Sequence, residues 1–205
     1  MQAYMKSPLP YAGVPMAQVR AITRTLFQDL TFVSRAQWER TVLGLFRGAV
    51  YREEWYAAVA VSGMRAARPF QTPEAMRVYG PIIVESAWWD VVDEVAEHRV
   101  AGILASHPEP MKRLLRQWST DPDLWRRRTA IIAQRSFRED TDEALLFDCI
   151  LPSIDSPEFF LRKAIGWALR EYSMVAPAAV KRFVKQHEDR LSGLSKREAL
   201  RHLAG

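Results

Sequence analysis

Trp89 and Asp93 are the pair whose residue types and spacing first suggest chemistry. In a helix, residues four apart share a face, so Trp-Trp-Asp-Val-Val-Asp over 88–93 would set an indole beside a carboxylate. Trp88 and Val92 fall on the neighbouring face, the natural one to bury. One reading is an amphipathic core helix with a solvated or capping acid, since aromatics serve cores more often than sites. The other is an aromatic wall and a carboxylate lining one site. The segment alone favours the core reading. Asp90 reads as a first-turn acid at the positive end of the helix dipole.

A second constellation lies downstream. In Leu124-Trp125-Arg126-Arg127-Arg128, Trp125 and Arg128 are three residues apart and share a face, with Arg127 and Arg126 adjacent. Three consecutive arginines cannot all point one way. They also open a helix, where cations are disfavoured by about 0.3–1 kcal/mol, a cost that an anionic partner would offset. Lys163, Trp167 and Arg170 then follow at i, i+4 and i+7, a stripe of cation, aromatic and cation. For Trp167 a binding surface and a core position are equally supported. Gly166 gives up helix propensity beside it, which predicts close packing at that point. Arg162, Lys181, Arg182 and Lys185 keep the surrounding field positive. Cations interleaved with aromatics suit nucleic acid, the cations meeting phosphates and the rings meeting sugars or bases.

Composition narrows the choice. The 205 residues are 48% hydrophobic and 26% charged, the make-up of one ordinary globular domain over 1–205. A net charge of +5 favours an anionic partner, with nucleic acid the leading candidate. The single cysteine, Cys149, sits in an apolar run and excludes an intrachain disulfide or a multi-cysteine metal cluster. There is no HExxH, no His/carboxylate cluster at ligand spacing, no phosphate-binding glycine loop and no Gly-x-Ser-x-Gly elbow. The reading is therefore no metal and no cofactor. The first residues lack the apolar run of a secretory signal, and no stretch is apolar enough to span a bilayer. The expectation is a cytoplasmic monomer, nucleoid-associated when bound to DNA.

The elements that must position these residues read as all-α. Ser34-Arg35-Ala36-Gln37 and Ser195-Lys196-Arg197-Glu198 have capping-box spacing. Thr72-Pro73-Glu74, Asp121-Pro122-Asp123 and Ser156-Pro157-Glu158 each read as an N-cap, a first-turn proline and an acid. Stripes such as Val19, Ile22, Leu26 and Leu30 read as buried faces. Helices are predicted over about 15–31, 34–48, 52–67, 73–85, 88–105, 109–118, 122–136, 141–151, 157–173, 177–190 and 195–203. The stretch from Pro122 to Ala130 recurs from Pro157 to Ile165 as proline, acid, large apolar, aromatic, any, arginine, cation, small, apolar. A period of about 35 residues suits a HEAT-like α-solenoid of short antiparallel helix pairs, here with a basic concave surface.

Several long motifs together resemble the AlkD-type DNA alkylation repair enzymes. They are Ser86-Ala87-Trp88-Trp89-Asp90-Val91-Val92-Asp93, Leu124-Trp125-Arg126-Arg127-Arg128-Thr129-Ala130-Ile131, Thr141-Asp142-Glu143-Ala144-Leu145-Leu146-Phe147 and the run from Phe159 to Tyr172. Leu194-Ser195-Lys196-Arg197-Glu198-Ala199 and the opening Tyr4-Met5-Lys6 with Gly13-Val14 add to them. The likeness spans the chain in order. It implies a monofunctional DNA glycosylase in base excision repair, acting on cationic N3- and N7-alkylated purines in duplex DNA without a lyase step. By position, the family's catalytic aspartate falls on Asp93, its two active-site tryptophans on Trp89 and Trp167, its key arginine on Arg128, and the tyrosine near the lesion on Tyr4. Arg20, Arg127, Lys163 and Arg170 are expected as further DNA contacts. The family usually has another helix before Tyr-Met-Lys, which predicts weaker ordering of Tyr4 here, and Val14 to Gln18 match only loosely. Two other readings stand beside this one. A non-catalytic binder of branched or damaged DNA would use the same solenoid, and a protein-interaction solenoid would bind no DNA.

Overall fold

Every stretch expected to be helical carries a helix in the computed structural model, which describes residues 5 and 7–203. Tyr4 lies outside the described residues. Among them there is no strand, and the chain is all-α, of the α-solenoid class. Contacts divide it into two compact units, with the division after Val95.

The first unit holds α1 (Met16–Leu26), α2 (Arg35–Arg47), α3 (Arg52–Ser62), α4 (Met76–Ser86) and α5 (Trp89–Val95). Its core is aromatic. Trp38 and Tyr79 meet edge to face at 6.1 Å, and Phe46 stacks on Trp55 at 4.9 Å. Both buried indoles place their N–H on a carbonyl, Trp38 on Ser62 and Trp55 on Phe46, so neither costs an unmade hydrogen bond.

The second unit begins with a π-helical turn, Ala96–Val100. It continues with α6 (Ala101–Ser106), α7 (Pro108–Ser119), α8 (Leu124–Ile132), α9 (Glu143–Ile150), α10 (Phe159–Ser173), α11 (Pro177–Gln186) and α12 (Gly193–Ala199). Ile131, Ile132, Leu146, Ile150, Leu161, Ile165, Leu169 and Val180 form a continuous aliphatic core. Cys149 is buried in this unit, and desolvation pushes its thiol up to about 12, which makes it inert as a nucleophile.

The repeat is visible in the helices. Both α8 and α10 start two residues after their proline, and the matched aromatics Trp125 and Phe160 pack at 5.0 Å.

Four expectations need correction. The helix predicted over 88–105 is interrupted by the π turn, a break that side-chain periodicity does not reveal. Asp121 and Ser156 are not N-caps. Each accepts from the backbone N–H two residues on, Asp123 at 2.8 Å and Glu158 at 3.2 Å, which keeps the residue after the proline extended and delays the helix. The cap of α12 is Ser192, while Ser195 is fully buried and donates to the Arg162 carbonyl at 3.0 Å. Finally, Ile22 and Leu26 are 51% and 71% exposed, because α1 buries only the side carrying Val19 and Thr23. The Ser34 cap is as expected, its hydroxyl accepting from Gln37 N–H at 3.2 Å.

Candidate functional site

The carboxylate helix α5 is set by its surroundings before its own side chains matter. Ala87 ends α4 in the left-handed region at φ 45°, an unfavourable place for a side chain, and turns the chain directly into the tryptophan pair. Asp90 is the anchor. It receives Arg52 Nε at 3.1 Å and Nη2 at 2.5 Å, together with the Tyr56 hydroxyl at 2.5 Å. Arg52 is 0% exposed and lies over the Trp55 ring at 4.9 Å. Burial, and then the bond to Asp90, push the Tyr56 phenol well above its ordinary value, so it stays a donor. Asp90 is therefore structural, more than a first-turn acid. Val92 is fully buried and Trp88 half-buried, as the core face requires.

One face is left for Trp89 and Asp93. Trp89 is 37% exposed, a large area for an indole, whereas Asp93 is 9% exposed. An exposed aromatic one turn from a shielded carboxylate suits a cationic or electron-poor ligand. Arg20, expected to reach DNA, instead pairs with Glu94, the neighbour of Asp93, while keeping 43% of its side chain exposed. Glu53 fixes the entering segment, accepting from the N–H groups of Ala12, Gly13 and Val14 at 3.0, 2.8 and 3.1 Å. Gly13 needs its positive φ of 86° to turn these donors toward one carboxylate.

In the second unit, the Lys163–Trp167–Arg170 stripe forms as the spacing predicted, and Glu198 of α12 spans it. One carboxylate oxygen takes Lys163 Nζ at 3.2 Å and the other takes Arg170 Nη1 at 2.9 Å. Burial works against the charged form of Glu198. The Lys163 bond and the fields of Lys163, Arg170 and Arg201 outweigh it and hold the carboxyl below its ordinary value. Gly166 explains the close approach, since a Cβ there would lie 2.6 Å from Glu198 Cβ and 3.1 Å from the Ser195 carbonyl. Trp167 is half-buried with the Arg135 guanidinium over its ring at 3.9 Å, and Arg135 in turn is ion-paired to Glu97.

The arginine run on α8 divides as three consecutive helical positions must. Arg126 pairs with Asp121 at 2.9 Å, Arg127 is half-buried, and Arg128 is only 4% exposed, donating to the Phe160 carbonyl at 2.6 Å. Arg128 thus comes with a fixed fork rather than a swinging arm.

The chain has counterparts among known proteins. A family model for DNA alkylation repair enzymes matches residues 1–203. The chain belongs to this family. Among solved structures, a predicted DNA alkylation repair enzyme from Enterococcus faecalis shares 28% identity and superposes with a TM-score of 0.88, covering 100% of this chain and 93% of that one. No curated protein matches the sequence.

Against that membership, four residues stand out that the sequence did not single out for the site: Arg52, Glu97, Arg135 and Glu198. Only Glu198 left a trace, through the glycine whose close neighbour it is. No helix among the described residues is long and apolar enough to cross a membrane, and no described group of His, Cys, Asp or Glu is arranged to hold a metal ion.

Proposed function

We propose that this member of the DNA alkylation repair family is a monofunctional glycosylase of base excision repair. It removes cationic N3- and N7-alkylated purines from duplex DNA, working as a single HEAT-like domain and a monomer, with no cofactor. The observation that carries the reading is the shielded Asp93 carboxylate one turn from the exposed Trp89 indole, in a family devoted to alkylated DNA.

An N-alkylated purine already carries positive charge, so it departs without a general acid. The C1′–N bond breaks with its electron pair passing to the base, which leaves neutral. The sugar becomes oxocarbenium-like, and a carboxylate beside it stabilises that charge. Water then bonds to C1′ and gives its proton to Asp93 or through it to solvent. Trp89 offers its exposed face to the electron-poor nucleotide, a contact worth about 0.5–2 kcal/mol when desolvated. Arg128, Trp167, Arg127, Lys163 and Arg170 bind the duplex, with Arg128 a preset phosphate fork. Arg20 joins them once it leaves Glu94, and Tyr4 contacts DNA near the lesion. With no lysine in the motif, no Schiff-base strand cleavage follows.

The test is release of 7-methylguanine or 3-methyladenine from methylated duplex DNA. Asp93→Asn should abolish at least 100-fold of the rate, an effect of about 2.7 kcal/mol, with duplex binding retained. Full activity in that variant would sink the mechanism. Tight binding of branched duplexes by the wild-type chain with no base release would replace it with the non-catalytic reading.

A further inference from the structure

Arg135 is used by none of the roles assigned above, yet its placement is specific. Its guanidinium lies 3.9 Å from the centroid of Trp167, close enough for face-on stacking of one planar group on another. Its Nη2 is ion-paired to Glu97, with side-chain exposures of 21% for Arg135 and 12% for Glu97. The tie is single: Arg135 Nε and Glu97 Oε1 are shielded from solvent and make no hydrogen bond. The ion pair to Glu97 holds the guanidinium at one end, and the Trp167 ring lies against it.

The backbone under Trp167 is fixed independently. Gly166 sits against Ser195 and Glu198 with no room for a Cβ, which sets the position of α10 there. What backbone fixation leaves undetermined is the side-chain rotation of Trp167, half-buried and bordered by Lys163 and Arg170 on its own stripe. Stacking by Arg135 removes that freedom. It also covers one face of the indole, while Trp167 as a whole stays half-buried.

We infer that Arg135, held by Glu97, is a positioning residue that locks the indole of Trp167 in the orientation used for alkylated duplex DNA. The inference rests on the glycosylase reading for its substrate, but not for its geometry. Losing the lock would lower the rate of base release more than duplex affinity, because a misoriented group costs most in the transition state.

The experiment uses the full chain labelled with 5-fluorotryptophan, the Trp167 resonance being assigned from Trp167→Phe. Arg135→Ala should shift and broaden or split that resonance. It should also slow single-turnover release of 7-methylguanine by about tenfold, with duplex affinity changed by less than about threefold. Arg135→Lys, which keeps the charge but not the planar stack, should fall between. Glu97→Gln should act in the same direction and keeps the variant set usable if Arg135→Ala fails to fold. An unmoved Trp167 resonance in folded Arg135→Ala overturns the inference, as does a moved resonance with undiminished base release. If the wild-type chain releases no base, the glycosylase reading fails by itself. The Trp167 resonance then decides the positioning role by itself: a moved resonance in folded Arg135→Ala upholds it, and an unmoved one overturns it.

Discussion

Helix α5 of the first unit and helix α10 of the second carry the candidate residues, and they are held in different ways. On α5 the holding group is Asp90, bound to Arg52 with side-chain exposures of 5% and 0%, so the tie is out of reach of salt and of ligands. On α10 the backbone is held by close packing at Gly166. The cations proposed to meet DNA there, Lys163 and Arg170, are bridged by Glu198, whose side chain is 18% exposed and so within reach of solvent. A carboxylate that must meet a developing charge gains from an immovable base. Cations that must meet phosphates gain from a partner that can be displaced. The two helices should therefore fail differently when each tie is cut.

The largest effect is expected at the buried pair. Asp90→Asn leaves the Arg52 guanidinium desolvated and short of its counter-charge, which should cost about 3–5 kcal/mol in urea unfolding. The double variant Arg52→Met with Asp90→Leu should recover most of that loss, since replacing a whole buried pair with apolar groups is often neutral. A single variant as stable as wild type would show that α5 is held by packing alone.

Gly166→Ala is the matching break on α10. The added methyl would meet the Ser195 carbonyl and Glu198 Cβ, neither of them the loose end of a flexible chain, so α12 must move. The expected loss is about 1–3 kcal/mol, measurable as a lower urea midpoint. A neutral outcome would mean that the α10–α12 contact yields without strain.

These two sites also mark how far the sequence could be read. The helices were legible because apolar spacing and helix-start signals are local properties. Gly166 was legible as a close contact because glycine inside a strong helix needs a reason. The face of Trp89 and Asp93 was legible from spacing, but the role it was given came from the family resemblance. Arg52, Arg135 and Glu198 were not legible, because each finds its partner 28 to 38 residues away in the chain. The π turn after Val95 was hidden too, since it changes the hydrogen-bond ladder without changing the apolar pattern. Asp121 and Ser156 misled for a local reason: a residue before proline that could cap a helix can equally hold a turn ahead of it.

A smaller effect should separate the solvent-reachable tie from the buried one. Glu198→Gln frees Lys163 from its internal anion and leaves Arg170 paired with Glu171 alone. Duplex affinity should then rise by a few-fold at low salt, and its logarithmic salt dependence should steepen by about one to two phosphate contacts. Fluorescence anisotropy over a salt series measures both. Unchanged affinity and slope would remove Lys163 and Arg170 from the DNA-contact set.

The finest distinction is electrostatic, and two glutamates carry it. Burial alone would raise both carboxyls, but each is held below its ordinary value of 4.5, Glu53 by backbone N–H groups and Glu198 by lysine and arginine charges. Because the folded state lowers both values, each contributes stability that is fully present above about pH 4.5. That contribution drains away as the pH falls through the folded value, never as it rises. Added salt screens charge pairs but does little to a carboxylate seated on N–H donors at 2.8–3.1 Å. Carbon-13 titration of the two side chains at about 0.05 and 0.5 M salt, where the screening length falls several-fold, should therefore move the Glu198 midpoint up toward its ordinary value and leave Glu53 in place. Equal movement of both would erase the contrast between a tie made of charges and one made of backbone geometry.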